Sequence, residues 1–298
     1  MEQSEYPKVH IVVLNFNRAP LLERHLPSVL KTSYPNYKVI VVDNGSNDNS
    51  LQLLKRSFPS VHVIRNQTNL GFGRANNVAF RQQDNCDYFA LLNNDVEVSP
   101  GWLTTLIETM ETHSKVGAVG PRVLYSKKRE GMNVINSAGG VVDRYDRGFD
   151  RYEGCPDGEQ YATVDKVDFV TGGAVVLRRD AVIDVGGFDE RMFFYYEDVD
   201  LCLRLREKGW GVLYDGRSTV YHDHMGTVKN WSSGKVTLAS NANRIKSILR
   251  RKGYLSAAIE SVRSPLEWLI YSLYGKITGK TYRERLLKNM FECRTVDE

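Results

Sequence analysis

Four short apolar runs lie in the first hundred residues, three of them ending in clusters of Asn and Asp, and this alternation leaves few architectures open. Val9 to Leu14, rich in β-branched residues, runs into Asn15-Phe16-Asn17-Arg18. Tyr37 to Val42 runs into Asp43-Asn44-Gly45-Ser46, Val61 to Ile64 is a third run, and Tyr88 to Leu92 runs into Asn93-Asn94-Asp95. Runs of this length and composition read as buried strands. Between them, Pro20 to Leu30 has apolar residues at helical spacing, and Asn47 or Asp48 can cap a helix through Phe58. A helix is expected through Ala75 to Gln82, and Pro100 suits the first turn of another. This β-α-β-α order specifies an α/β fold with a mostly parallel central sheet flanked by helices. Ligands of such sheets bind beyond the carboxyl ends of the strands, which is where the polar clusters fall.

Downstream the pattern loosens. Lys127 to Gly158, rich in Arg, Asp and Gly, reads as a long loop or a small mixed insert. Val164 to Arg178 reads as a strand pair or as a strand with a tight bend at Gly172-Gly173, and Glu197 to Lys208 as a helix. Val212 to Tyr214 and Thr219 to Tyr221 read as two short strands, and the chain from Thr237 onward as helix. A chain of 298 residues, 42% hydrophobic and 26% charged, accommodates one large α/β domain with an appendage and is not a disordered composition.

Cys86, Cys155, Cys202 and Cys293 lie far apart and form no CxxC pair, so a reduced, cytoplasmic protein without a cysteine zinc site is expected. Met1 to Lys8 is polar, unlike a signal peptide, and no segment approaches the roughly 20 apolar residues that span a bilayer. Residues 229–298 carry 14 Lys/Arg against 6 Asp/Glu, a local +8 in a chain of formal charge +4. Such a tail suits an anionic membrane surface or an acidic partner, or is a solvated helical face. The apolar, aromatic segment Pro265 to Tyr274, flanked by Lys/Arg, suits a membrane interface or packing against the domain or a second subunit, which leaves a homodimer open. No recognisable nucleic-acid motif accompanies the basic charge.

Asp95 sits at the mouth of an apolar strand, where a carboxylate can hold a hard cation that bridges phosphate oxygens. Asn93 and Asn94 add amide donors beside it, although Asn and Asp also favour plain turns. Asp43 ends a second strand of the same sheet and can accept hydrogen bonds from a base or a ribose. Glu197-Asp198 stands at a helix start, where the dipole favours carboxylates for purely structural reasons. The aromatic shelf Phe193-Phe194-Tyr195-Tyr196 precedes it, and a carboxylate beside a surface suited to sugar rings can act as a general base. Asp200 and Arg204 are spaced to pair on the helix surface. His222 and His224 flank Asp223, and either imidazole can complete a metal shell. Gly71-Phe72-Gly73-Arg74-Ala75-Asn76 lacks the last small residue of a dinucleotide fingerprint, and neither a phosphate loop nor a GxSxG elbow is present.

Seven segments in order resemble the family 2 inverting glycosyltransferases of GT-A fold, and among them the rhamnosyltransferase-like branch. They are Val12 to Arg18, Val41 to Ser46, Asn69 to Asn77, Leu91 to Val96, Gly172-Gly173-Ala174, Tyr196 to Leu201, and His222 with Gly226-Thr227. The resemblance implies a GT-A catalytic domain over 1–228, with a nucleotide-binding half to about 125 and an acceptor-binding half over 126–228, and a basic helical extension over 229–298. It implies a hexosyltransferase that uses Mg²⁺ or Mn²⁺ and a nucleoside-diphosphate sugar, dTDP-rhamnose or a UDP-hexose. The acceptor is then a saccharide or lipid-linked saccharide of cell-surface polysaccharide synthesis, met in the cytoplasm or at the inner face of the membrane. Leu14, Asn15, Phe16, Arg18, Asp43, Asn44, Gly71, Arg74, Asn93, Asn94 and Asp95 correspond to the donor site. Asp95, which ends a DxD-type motif whose first position is Asn93, corresponds to a metal ligand together with His222, with His224 as the alternative. Asp198 corresponds to the catalytic base, Glu197 to its support, and Gly172, Gly173, Tyr195 and Tyr196 to the acceptor side. The competing classes are a sugar nucleotidyltransferase, disfavoured because Asn15 to Pro20 lacks the glycines of a triphosphate loop, and a non-catalytic nucleotide-sugar or polysaccharide binding module.

Overall fold

A computed structural model describes residues 6–83, 85–223, 233–265 and 293. The chain opens with β1 (Val9–Asn15), α1 (Ala19–Leu30), β2 (Tyr37–Asp43), α2 (Ser50–Ser57), β3 (His62–Arg65), α3 (Phe72–Gln82) and β4 (Tyr88–Asn93). Then follow β5 (Val96–Val98), α4 (Trp102–Thr112) and β6 (Val116–Tyr125), and an insert with β7 (Ile135–Ser137), β8 (Gly140–Val142), β9 (Gly148–Asp150) and a 3-10 turn (Glu159–Tyr161). The rest is β10 (Val164–Lys166), β11 (Ala174–Arg178), α5 (Arg179–Val185), α6 (Glu197–Glu207), β12 (Gly211–His222) and α7 (Ser233–Lys252). Residues 254–265 are also helical.

The main path of the sheet is β10-β12-β6-β11-β4-β1-β2-β3, with β5 on β12 and β7 on β6. Six of its eight strands run in one direction, and β11 and β10 are reversed. Alternate residues of each strand feed opposite faces, as a period of two requires. Val9, Ile11 and Val13 pack with Val39 and Val41 against Leu22 and Leu26 of α1 and Leu103 and Leu106 of α4. Val12, Ile40 and Val42 pack on the other side with Phe72, Ala75 and Phe80 of α3 and Leu201 and Leu205 of α6. Both faces are covered, which explains why these strands read as continuous apolar runs.

Several expectations change. Val164 to Arg178 is not a strand pair: β10 joins β12, while β11 inserts between β4 and β6. The two short strands expected over 212–221 are one strand, β12, with a register shift between Asp215 and Thr219 that scrambles its apolar alternation. The helix expected at Pro100 begins at Trp102 behind Gly101. Asn49, not Asn47 or Asp48, stands at the start of α2, although Asp48 Oδ1 accepts the Ser50 N–H at 3.0 Å. β6 has no counterpart among the expected strands, because Gly117, Gly120 and Pro121 weaken its strand signal. Gly120 is there for a close approach, since a Cβ would lie 2.7 Å from Val170 Cβ. Asp200 and Arg204 do pair, at 2.7 Å, but inside the protein rather than on a surface, because this face of α6 packs toward the sheet.

The expectation of reduced cysteines is also corrected: Cys155 and Cys293 are joined in a disulfide, and the free Cys86 and Cys202 are buried. The pair is separated by 138 positions, and sequence spacing alone gave no reason to bring them together.

The described part of the basic extension lies against the domain. Arg251 pairs with Asp146 and Glu207, each at 2.8 Å, Lys252 also meets Asp146, and Arg250 reaches Asp189. Much of the charge of α7 is thereby spent within the chain. Most of Pro265 to Tyr274, from 266 on, lies outside the described residues, as do His224, Gly226 and Thr227.

Candidate active site

The carboxyl ends of β1, β2 and β4 are stitched together by side-chain amides. Asn15, fully buried, donates through Nδ2 to Asp43 Oδ2 at 3.2 Å and to Ser46 Oγ at 3.3 Å, and its Oδ1 accepts Asn94 Nδ2 at 2.8 Å. Asp43 Oδ1 accepts the Ser46 N–H at 3.0 Å. Asn44 turns the other way: its Oδ1 accepts Asn66 Nδ2 and the Leu70 N–H, and its Nδ2 donates to Asn69 Oδ1. Asn44 therefore shapes the loop before α3. Leu14 packs on the core, whereas Phe16 and Arg18 are half-buried at the strand mouth. Arg74 is largely exposed and lies 3.5 Å from Glu190.

Asp95 and His222 meet because β5 pairs with β12, setting Val96 opposite His222. Asp95 Oδ1 is 3.2 Å from His222 Nε2, and His222 Nδ1 is 3.0 Å from Asn136 Oδ1. Such a pair is held together either by a proton on Nε2 donated to the carboxylate or, with the proton on Nδ1 facing Asn136, by a cation between them. Two cis ligands of an octahedral cation at ~2.1 Å are themselves about 3 Å apart, so this donor set fits a divalent ion. Burial disfavours the ionised form of Asp95, but the His222 contact outweighs it and holds the carboxyl below its ordinary range. Among the described residues no third His, Cys, Asp or Glu joins them. Sequence reasoning missed Asn136, which sits in an irregular insert. It also missed the role of Asp223, whose N–H donates to the Asp95 carbonyl at 2.8 Å while its carboxylate meets Arg24 and His25.

Asp198 reaches the same end of the sheet through a glycine turn. Its Oδ2 accepts the Gly172 N–H at 3.0 Å, and the Gly173 carbonyl accepts the Asn93 N–H at 2.9 Å. A continuous bridge, Asp95-Asn94-Asn93 to Gly173-Gly172 to Asp198, thus joins the two acidic positions. A Cβ on Gly172 would crowd the Phe72 ring at 3.0 Å, so glycine permits this approach. Asp198 is half-buried, densely surrounded yet open to solvent on one side. Burial raises its carboxyl above the usual range, against the pull of the Gly172 and Val199 N–H donors. Glu197 is buried, its Oε2 has no hydrogen-bond partner, and burial followed by the neighbouring Asp198 charge pushes its carboxyl well up. Tyr196 is turned inward, its hydroxyl donating to the Asp146 carbonyl, whereas Phe194 and Tyr195 stay half-buried with ring centroids 4.6 Å apart.

The raised Glu197 carboxyl has a consequence for stability. The folded state holds this proton to higher pH than the unfolded chain does, so its contribution falls as pH rises from the ordinary Glu value through the folded one. Glu197→Gln is expected to raise the thermal midpoint at neutral pH and to flatten its fall with pH. A midpoint profile parallel to wild type would show that Glu197 is ionised in the fold.

A sequence model described as Glycosyl transferase family 2 matches residues 10–186. The chain is 29% identical over 235 residues to an N-acetylglucosaminyl-diphospho-decaprenol L-rhamnosyltransferase of Mycobacterium tuberculosis, covering 71% of this chain and 75% of that protein. It is 26% identical to the rhamnosyltransferase WbbL of Escherichia coli K12, over 67% of this chain and 78% of the other. The fold is similar to that of GalNAc-T7, solved with UDP, GalNAc and Mn²⁺, at a TM-score of 0.65 and 17% identity, with 83% of this chain and 48% of that one covered. With a match that takes in more than half of its length, including the ends of β1, β2 and β4 and the Gly172-Gly173 turn, the chain belongs to glycosyl transferase family 2.

Proposed function

We propose that the chain transfers a sugar, with inversion, from a nucleoside-diphosphate donor to a hydroxyl of a saccharide or lipid-linked saccharide in cell-surface polysaccharide synthesis. The observation that carries this reading is the bridge from the Asp95–His222 pair to Asp198 at one end of the sheet. Asp43, with Phe16 and Arg18 nearby, would receive the base and ribose, and Asn93 the phosphates. Asp95 and His222 would hold Mg²⁺ or Mn²⁺, which stabilises charge on a leaving diphosphate. Asp198 takes the proton from the acceptor hydroxyl as that oxygen bonds to the anomeric carbon, while the bond to the diphosphate oxygen breaks on the opposite face. The half-buried rings of Phe194 and Tyr195 offer the acceptor an apolar face. The names of the rhamnosyltransferase relatives favour dTDP-rhamnose over UDP-hexoses as the donor.

A thermal-shift screen of UDP, dTDP and GDP sugars with Mn²⁺, followed by NMR of the product anomer, tests the reading. A donor-specific shift that needs the cation, and a product of inverted configuration, support it. Retained configuration, or donor binding without transfer to any acceptor, overturns it, and the second outcome favours a binding module.

The proposal includes contact with the cytoplasmic face of a membrane. Among the described residues no helix is long and apolar enough to cross a bilayer. The helix over 254–265, however, turns Leu255, Ile259 and Val262 outward at i, i+4, i+7 spacing, each more than half exposed. An apolar stripe in a basic extension suits an anionic interface. The full chain is expected to float with phosphatidylglycerol vesicles, and the variant with serine at all three positions to stay behind. Equal flotation removes membrane contact from the proposal.

A further inference from the structure

The loop that delivers Glu197 and Asp198 is built on an unusual backbone. Tyr195 and Tyr196 are consecutive and both left-handed, with φ of 67° and 74°. Residues with side chains seldom adopt this conformation, and they keep it only where the surroundings impose it. Tyr196 is also the residue from which α6 starts, and no side chain caps that start. The direction of the helix, and so the position of Asp198, depends on what holds the two tyrosines.

Two clamps hold them. On one side the Phe193 carbonyl accepts the Phe72 N–H at 2.9 Å, over Gly71, where a Cβ would collide with that carbonyl oxygen at 2.3 Å. On the other side stands α7. Asn243, buried to 4% exposure, donates from Nδ2 to the Phe194 carbonyl at 2.9 Å and to the Tyr195 carbonyl at 2.8 Å. Its Oδ1 accepts Lys246 Nζ at 3.0 Å, and the same ammonium donates to the Arg191 carbonyl at 2.9 Å. Both hydrogens of one amide are committed to the carbonyls of successive residues entering the left-handed pair. The Tyr196 hydroxyl meets the Asp146 carbonyl, and the Asp146 carboxylate is held by Arg251 and Lys252 of the same helix.

We infer that α7 belongs to the catalytic apparatus, with Asn243 as the positioning residue that fixes the Phe194–Tyr196 backbone and, through it, the carboxylate of Asp198. The inference rests on the assignment of Asp198 as the base. It gives the C-terminal extension a part in the reaction that is independent of any membrane contact. An amide is suited to this place because only a side chain with two hydrogens on one nitrogen can serve both carbonyls while presenting an acceptor to Lys246.

The test uses the full chain and Asn243→Ala, Asn243→Asp, Asp198→Asn and the Asn243→Ala/Asp198→Asn pair, assayed for transfer from dTDP-rhamnose with Mn²⁺ to N-acetylglucosaminyl-diphospho-decaprenol, the acceptor that the name of the Mycobacterium tuberculosis relative gives. The isosteric Asn243→Asp keeps the acceptor and loses both donors. Both Asn243 variants are expected to lower kcat by roughly 10-fold or more, since small misplacements of a reacting group are costly, with donor KM within about twofold. In the Asp198→Asn background the Asn243 change should cost nothing further, because a residue acting through Asp198 has nothing left to position. Amide hydrogen exchange over residues 193–199, which needs no substrate, should quicken in both variants. Turnover within about twofold of wild type, additive losses in the double variant, or unchanged exchange would overturn the inference. If the Asn243 variants fold poorly, Lys246→Met, which removes the brace on Asn243 together with the contact to the Arg191 carbonyl, should show the same split at smaller size, and wild-type kinetics there overturn it. Wild-type turnover in Asp198→Asn would instead refute the base assignment, a result distinct from a silent Asn243→Ala beside an inactive Asp198→Asn.

Discussion

Asp198→Asn is expected to lower kcat by roughly 10²-fold or more, on the scale of general-base catalysis, while donor KM stays within about twofold. The amide matches the carboxylate in shape and keeps an oxygen for the Gly172 N–H, so the turn at Gly172-Gly173 stays in place while only the local contact to the Val199 N–H is lost. What is lost is the ability to accept a proton from the acceptor hydroxyl. The pH profile supplies an independent check. Burial raises the Asp198 carboxyl, and the base must be ionised, so kcat/KM should rise with pH through a limb above the ordinary Asp range. That limb should disappear in the variant. Near-normal turnover, or a variant that keeps the limb, would move the base elsewhere, and Glu197 would be the neighbouring carboxylate to examine.

Asp95→Ala is expected to abolish cation-dependent donor binding. Changing a group that merely orients a metal ligand costs 10–100-fold in metal affinity, and removing a ligand itself should cost more than roughly 10²-fold. With only Asp95 and His222 meeting here among the described residues, loss of one leaves an imidazole that cannot hold a hard cation alone. The readout is the thermal shift produced by Mn²⁺ with dTDP, which requires no turnover. It should be large in the wild type and absent in the variant. Asn136→Ala should reduce the same shift without removing it, because His222 would lose the hydrogen bond that orients its ring through Nδ1. An undiminished shift in Asp95→Ala would place the cation elsewhere.

The first half of the fold was legible because its strands are short, apolar and punctuated by Asn and Asp, and because consecutive strands there are neighbours or near-neighbours. β1, β2, β3 and β4 appear within a residue or two of the expected bounds. The second half hid its order. β11 is reversed and wedged between β4 and β6, a non-local pairing that no local pattern encodes. The same wedge brings Gly173 to Asn93 and so links Asp198 to Asp95. For the site, residue types at strand ends were readable, but their supports were not. Asn136, Asp223 and Asn243 act through contacts 86, 128 and 49 positions away along the chain, to His222, Asp95 and Phe194 respectively, and an isolated Asn or Asp in a short strand, a loop or a helix carries no mark of such duty. Nor could sequence tell Tyr195 from Tyr196, since only the turn of the backbone sends one ring outward and the other in.

The main path of the sheet ends on β3 and β10, and both are short and polar. β3 spans four residues with His62 and Arg65 exposed, and β10 spans three with Asp165 and Lys166. A brief, charged margin offers little unpaired backbone for a strand from another molecule to dock on. Such margins disfavour edge-to-edge aggregation of the sheet, and association between molecules is to be sought on its helical faces.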